Sequence, residues 1–140
     1  MKAWVGVDPG EKRIGVARSD LMGMIAQPHS IVATPAELVT LLTGWSDEVH
    51  GVIVGLPRNM DGSYGPLARR SKVFVDDLRL KVPFPVYLWD ERLTTQQAKR
   101  MGGRGDRVDD RAAAILLQSY LDAGTPPMDD PAELGESPEK

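Results

Sequence analysis

The chain has 140 residues, 41% of them hydrophobic, with no cysteine and a formal net charge of -3. This length corresponds to one domain and excludes architectures built from two lobes, and the lack of cysteine excludes disulfide frameworks, thiolate metal sites and a cysteine nucleophile. Because the sequence has neither a membrane-spanning apolar run nor a recognisable signal peptide, we expect a cytoplasmic protein that does not bind membranes.

The negative charge is concentrated at the C-terminus. Residues 125–140 have a net charge of -4, whereas residues 1–124 have a net charge of +1. The C-terminal stretch is rich in Pro, Asp and Glu, a composition that buries too little apolar surface to become ordered. The sequence therefore predicts a folded domain over 1–124 and an acidic, disordered tail over 125–140.

The N-terminal part predicts three strands and a helix. Strand-like residues occupy 3–7, 13–17 and 24–32, and turn residues separate them, which is typical of an antiparallel meander. Thr34 is then placed as an N-cap, with Pro at the first helical position and Glu37 at the capping-box position.

The rest of the chain predicts two strand–helix units and a final helix. The apolar runs 51–56 and 86–89 are typical of strands covered on both faces in a parallel arrangement. Helical patterns cover 66–81, a short segment from Thr94, and 108–121. The order predicts an α/β fold with a mixed five-stranded sheet, three antiparallel strands followed by two parallel ones, and helices on both faces.

Acidic residues stand where the predicted elements meet one edge of this sheet. Asp8 ends the first strand, Asp90 and Glu91 end the last strand, and Asp109 and Asp110 begin the final helix. Ligands of open α/β sheets bind beyond the carboxyl ends of the strands. Converging carboxylates repel one another unless cations lie between them, and oxygen ligands favour Mg²⁺ or Mn²⁺ over zinc.

Three of these acids also have a structural explanation. Asp8 is suited to capping the turn that follows it, and Asp109 and Asp110 complement the positive end of a helix dipole. A helical projection places Asp109 closer to the core-facing side than Asp110.

Four segments, in this order, resemble the YqgF (RuvX-like) family of the ribonuclease H-like superfamily. The resemblance spans about residues 3–122 and implies a ribonuclease H-like fold. The segments are Val7–Gly10 with Ile14–Ala17, Ile53–Pro57 with Asn59–Gly62, Asp90–Thr95, and Val108–Asp109 with Leu116–Leu121.

The resemblance also implies a function. It implies a Mg²⁺-dependent nuclease that trims the 5′ end of precursor 16S rRNA, or alternatively a Holliday junction resolvase. Together with the converging carboxylates, which suit two Mg²⁺ or Mn²⁺ ions, it predicts an endonuclease with a two-metal-ion mechanism. By position it assigns the catalytic and metal-binding roles to Asp8, Glu91 and Asp109, with Asp110 one residue beyond the pattern.

Basic residues near this edge are candidates for contacts with a phosphate backbone. The loop before Asp109 is shorter than the Lys/Arg-rich loop of many relatives but still carries a net positive charge, and a second cluster lies on the predicted helix 66–81. A solvated loop and an exposed helix face would explain the same charges. The predicted nucleic-acid-binding set is Arg58, Arg69, Arg70, Arg92, Lys99, Arg100, Arg104 and Arg107.

Two other functions compete with the nuclease. A nucleotide-binding fold of the actin and sugar-kinase type shares the Asp8–Gly10 signature, but it needs two lobes and a longer chain. A nucleic-acid-binding module without activity would be free to lose the acids, all of which are present. Junction cleavage would need two active sites and hence a homodimer, and nothing in the sequence decides between RNA and DNA.

Overall fold

The computed structural model describes residues 1–90 and 110–135, and within them the chain forms a five-stranded sheet with helices packed against it. The predicted helix from Thr94 lies outside the described residues. None of the described helices is long and apolar enough to cross a membrane. The strands are β1 (Ala3–Pro9), β2 (Ile14–Ser19), β3 (Ala26–Val32), β4 (Val49–Leu56) and β5 (Val86–Asp90); the helices are α1 (Pro35–Thr43), α2 (Pro66–Arg79), α3 (Asp110–Asp122) and a short 3-10 helix (Ala132–Leu134).

The sheet has the strand order β3-β2-β1-β4-β5. β1 pairs antiparallel with β2, and β2 pairs antiparallel with β3. β4 pairs parallel with both β1 and β5. This arrangement confirms the predicted mixed sheet, in which a meander is followed by two parallel crossover strands.

Each face of the sheet is covered by helices, as predicted. On one face, side chains of α1 and α2 form an apolar core with alternate residues of the strands, including Val5, Val54 and Leu88. On the opposite face, α3 packs against the other set of alternate residues, including Ile53 and Trp89. Because β4 is covered on both faces, its sequence is an almost continuous apolar run rather than an alternating one.

The start of α1 follows the predicted capping pattern. The Glu37 N–H donates to Thr34 Oγ1 at 3.1 Å, and the Ala33 N–H donates to Glu37 Oε2 at 2.7 Å. These two bonds satisfy backbone donors on both sides of the cap.

Helix α3 lies unusually close to β1. A Cβ atom at Gly6 would lie 2.7 Å from the Ala113 carbonyl oxygen and 2.8 Å from Leu117 Cβ. Earlier on the strand, the Trp4 ring meets the Tyr120 ring at 5.1 Å between centroids. The helix therefore runs antiparallel to β1, and its amino end points toward the carboxyl end of that strand.

The stretch 126–135 packs on the domain, which differs from the disordered tail that composition predicts. The Asp130 carboxylate accepts from Lys72 Nζ at 2.7 Å and from Arg79 Nη1 at 2.6 Å, and the Leu134 side chain is buried in the core. The prediction from composition includes the acidic residues of this stretch but not their partners. Lys72 and Arg79 on α2 neutralise Asp130. Residues 136–140 lie outside the described residues.

This ion-pair network should make stability depend on pH. Hydrogen bonds from Arg79 and then from Lys72 lower the pKa of Asp130 to about 2. Because this pKa is below the value of about 3.9 in an unfolded chain, the stabilisation is complete above pH 4 and is lost as the pH falls toward 2. In urea unfolding at pH 7, Asp130→Asn should lower the free energy of unfolding by about 1–2 kcal/mol, and the difference from wild type should shrink at pH 3 and below.

The neighbouring residue supplies the control for this prediction. Asp129 is exposed and takes part in none of the ion pairs among the described residues. Asp129→Asn therefore removes the same charge without breaking the network. If both variants lost the same stability, net charge rather than the Asp130 network would be responsible.

Candidate active site

The carboxyl ends of β1, β4 and β5 form one edge of the sheet. Asp8 lies near the end of β1 and is half-buried. β4 separates β1 from β5, so the backbones of β1 and β5 are about 10 Å apart at two strand spacings. Long side chains reaching inward from these strands can approach each other across β4.

Asp8 belongs to the face of the sheet that packs against α3. Alternate residues of a strand share a face, and Trp4 and Gly6, which precede Asp8 at this spacing, both contact α3. On the neighbouring strands the adjacent positions are glycines: Gly15 pairs with Asp8, and Gly55 follows the residue of β4 that pairs with Val7. Glycine has no side chain, so neither of these two neighbours contributes one beside the Asp8 carboxylate.

Asp90, which follows Trp89 on β5 and so has the opposite parity, forms an ion pair with Arg58. The Arg58 Nη1 atom lies 3.3 Å from Asp90 Oδ2, and Arg58 Nε donates to the Gly62 carbonyl at 2.8 Å. The same guanidinium stacks on the Tyr64 ring at 4.4 Å from its centroid. Arg58 therefore links the end of β5 to the loop that follows β4.

The Asn59–Gly62 motif forms a tight turn in that loop. The Gly62 N–H donates to the Asn59 carbonyl at 2.9 Å, and Asp61 Oδ1 accepts from the Ser63 N–H at 2.9 Å and from Ser63 Oγ at 2.6 Å. The bonds from Ser63 lower the pKa of Asp61. Asp61 thus stabilises the turn as a carboxylate.

Of the predicted basic residues, the structure describes three. Arg69 and Arg70 are exposed in the first turns of α2, just after this loop, and Arg69 Nη1 donates to the Leu134 carbonyl at 3.5 Å. Arg58 has the internal partners described above, a role that sequence reasoning missed because nothing in the sequence links it to Asp90. The other candidates lie outside the described residues: Arg92, Lys99, Arg100, Arg104 and Arg107.

The predicted acids are also divided. Asp8 is described, Glu91 and Asp109 lie outside the described residues, and Asp110 is the first residue of α3. Within 1–90 and 110–135, no group of three or more His, Cys, Asp or Glu residues could hold a metal ion. The predicted metal site depends on Glu91 and Asp109 and stays a prediction.

The donor chemistry at this edge fits a hard divalent cation. Asp8 offers carboxylate oxygen, and both histidines are elsewhere: the His29 ring packs on Trp45 at 4.7 Å and the His50 ring packs on Trp4 at 5.5 Å. Trp4 precedes Asp8 on β1 by four residues. His50, which packs on Trp4, therefore lies toward the opposite edge of the sheet. Oxygen ligation without nitrogen or sulfur suits Mg²⁺ or Mn²⁺.

Comparison with known proteins agrees with the sequence resemblance. A family model described as "RuvX: Holliday junction resolvase" matches residues 2–123. The chain is 43% identical over 129 residues to a protein of Halothermothrix orenii named "Putative pre-16S rRNA nuclease", with 84% of this chain and 92% of that protein covered. A Myxococcus xanthus protein of the same name is 43% identical over 138 residues, covering 90% of this chain and 91% of that protein.

Among solved structures, the fold is similar to that of RuvC from Thermus thermophilus. The TM-score is 0.50 at 16% sequence identity, and the similarity covers 88% of this chain and 97% of that one. At this identity the likeness concerns the fold, and it confirms the predicted ribonuclease H-like architecture.

Proposed function

The chain belongs to the RuvX family, and we propose that it is a divalent-metal-dependent endonuclease that acts in the cytoplasm on the 5′ end of precursor 16S rRNA. The substrate is taken from the name shared by the relatives it matches. The observation that carries the proposal is the position of Asp8. It lies at the carboxyl edge of the sheet, on the face that packs against α3, and the amino end of α3 points toward this edge.

The acids proposed to act with Asp8 are Glu91 and Asp109. Along β5, Leu88 belongs to the core on the α1 and α2 face and Trp89 to the core on the α3 face. By this alternation Glu91, two residues after Trp89, has the parity of the Asp8 face, whereas Asp90 has the other parity and pairs with Arg58. This supports Glu91 rather than Asp90 as the second acid.

The spacing of residues along α3 supports Asp109 as the third acid. Ala113 and Leu117 are the residues of this helix that contact Gly6 of β1. Asp109 precedes Ala113 by four residues, the spacing of side chains on one helical face, and Asp110 precedes it by three. The proposal takes Asp109 as the principal acid and Asp110 as a second candidate.

These side chains would hold one or two divalent ions and orient the substrate. Bound Mg²⁺ or Mn²⁺ would supply an activated water and would stabilise the leaving oxygen of the phosphodiester. Asp8, Glu91 and Asp109 would hold the cations, whose charge relieves the repulsion between the carboxylates. Arg58 is a positioning residue that fixes the loop after β4 against the end of β5.

Basic side chains around this edge would bind the sugar–phosphate backbone. Arg69 and Arg70 are exposed near the amino end of α2, and Arg92, Lys99, Arg100, Arg104 and Arg107 are proposed for the same role from sequence. Phosphate contacts position a nucleic acid without reading its bases. Specificity for precursor rRNA would then come from the shape of the substrate.

A Holliday junction resolvase is the second candidate, favoured by the description of the matching family model. Symmetric cleavage of a junction needs two active sites, so this activity would require a homodimer.

A cleavage panel tests these proposals. The purified protein is incubated with precursor 16S rRNA, an unrelated single-stranded RNA and a four-way DNA junction, each with Mg²⁺, with Mn²⁺ and with EDTA. Metal-dependent cleavage at the rRNA 5′ end supports the proposal, and cleavage of the junction alone, by a dimer, supports the second candidate. Binding without cleavage under every condition would contradict both and would indicate a non-catalytic binding module.

A further inference from the structure

The turn between β1 and β2, residues 10–13, lies at the active-site edge of the sheet. The Gly10 N–H donates to the Arg13 carbonyl at 2.8 Å, which closes a tight turn. Gly10 and Arg13 are adjacent in the chain to Pro9 and Ile14, which form the last residue pair between the two strands. The sheet therefore holds the backbone of the turn at both ends and keeps the turn at this edge.

Two cations of this turn, Lys12 and Arg13, are exposed and have no carboxylate partner in the described part of the chain. With Glu11 between Gly10 and Lys12, the turn has a net charge of +1. Five of the other described cations form ion pairs with carboxylates: Arg18, Arg58, Lys72, Arg79 and Lys81. The exposed pair is therefore available to an external anion.

Arg13 directly precedes β2, and the alternation of that strand relates it to Asp8. Asp8 pairs with Gly15 across the two strands, and Arg13 precedes Gly15 by two residues, so it belongs to the same face. Residues related in this diagonal way are about 7–8 Å apart. Gly15, which is the pairing partner of Asp8 on this face, adds no side chain of its own.

We propose that Lys12 and Arg13 form a phosphate-binding element that holds the backbone of the nucleic acid on the β2 side of Asp8. This proposal rests on the nuclease function proposed above. The arginine offers a planar pair of donors and the lysine a point charge, and both suit phosphate oxygens. The element would fix the position of the backbone relative to Asp8 without base specificity.

The salt dependence of binding tests this proposal. A fluorescently labelled single-stranded RNA is titrated with protein in EDTA, which prevents metal-dependent cleavage, at several salt concentrations. K12Q/R13Q should reduce the slope of log K against log salt by about 1.4, since each phosphate of a single strand that a cation neutralises contributes about 0.7 to it. K12R/R13K keeps both charges and should retain the wild-type slope.

A charge-matched variant, K2Q/K81Q, is the control. Lys2 precedes β1, Lys81 follows α2, and both are exposed at the opposite edge of the sheet, so we expect an unchanged slope. A wild-type slope in K12Q/R13Q, an equal reduction in K2Q/K81Q, or a reduction that K12R/R13K shares would each overturn the proposal. None of these results bears on the nuclease function, which metal-dependent cleavage by the wild-type protein decides; a wild-type protein that bound no nucleic acid would overturn both.

Discussion

Replacing Asp8 with Asn should reduce Mg²⁺- or Mn²⁺-dependent cleavage by at least about 100-fold. Substitutions of residues that only orient a metal ligand already cost about 10–100-fold, and Asp8 is proposed to be a ligand itself. The fold should persist, because Asn has the same shape and removes one charge from the proposed group of acids, whose members would repel one another. The measurement is the cleavage rate at saturating metal, with a thermal melt of the metal-free protein, whose midpoint should be unchanged or slightly raised.

The control for this variant is Asp47→Asn. Asp47 is exposed in the turn between α1 and β4, at the other edge of the sheet, and its replacement removes the same charge away from the site. We expect wild-type cleavage. If Asp8→Asn retained more than about a tenth of the wild-type rate, Asp8 would not be a metal ligand.

Replacing Gly6 with Ala should produce the largest loss of stability. The added Cβ would lie 2.7 Å from a backbone oxygen of α3, and since the helix backbone cannot rotate away as a side chain could, the helix must move. Overpacking typically costs 1–3 kcal/mol, and we expect about 3 kcal/mol here, with a melting temperature lower by roughly 10 °C. Cleavage at 25 °C should fall further than the folded fraction, because the shift displaces the amino end of α3 from Asp8.

Gly44→Ala separates this effect from the general consequences of replacing a glycine. Gly44 follows α1 with right-handed helical backbone angles, and the nearest atom to an added Cβ is 3.3 Å away. We expect a change in the free energy of unfolding below about 1 kcal/mol. Equal destabilisation by the two substitutions would show that the close approach of α3 to β1 is not what makes Gly6 necessary.

Much of the fold could be predicted because local patterns decide it. Thr34, Pro35 and Glu37 encode the start of α1 directly, and the buried run of β4 follows from its coverage on both faces. The close contact at Gly6 could not be predicted, since a glycine within a strand fits a bulge, a kink or a close approach equally well. The choice depends on α3, which is more than 100 residues away in the chain.

One candidate followed from its place along an element: the end of β1 indicated Asp8, which lies near the end of that strand in the structure. Glu91 and Asp109 lie outside the described residues, so the assignment of the site stays a prediction. The partners of Arg58 and Asp130 could not be predicted, because each ion pair joins residues distant in sequence: Arg58 with Asp90, and Asp130 with Lys72 and Arg79. The acidic composition near the C-terminus predicts disorder because it does not reveal that Lys72 and Arg79 pair with Asp130 in the folded chain.

The position of β3 at one border of the sheet also affects self-association. A border strand exposes unpaired backbone groups that can recruit a strand from another molecule, and natural proteins obstruct such recruitment. Pro28 lies in the middle of β3, next to the register shift opposite Val16 and Ala17, and a proline offers no N–H to an incoming strand. Intermolecular sheet extension through β3 is thereby opposed, which favours solubility at high concentration and disfavours fibril growth along this border.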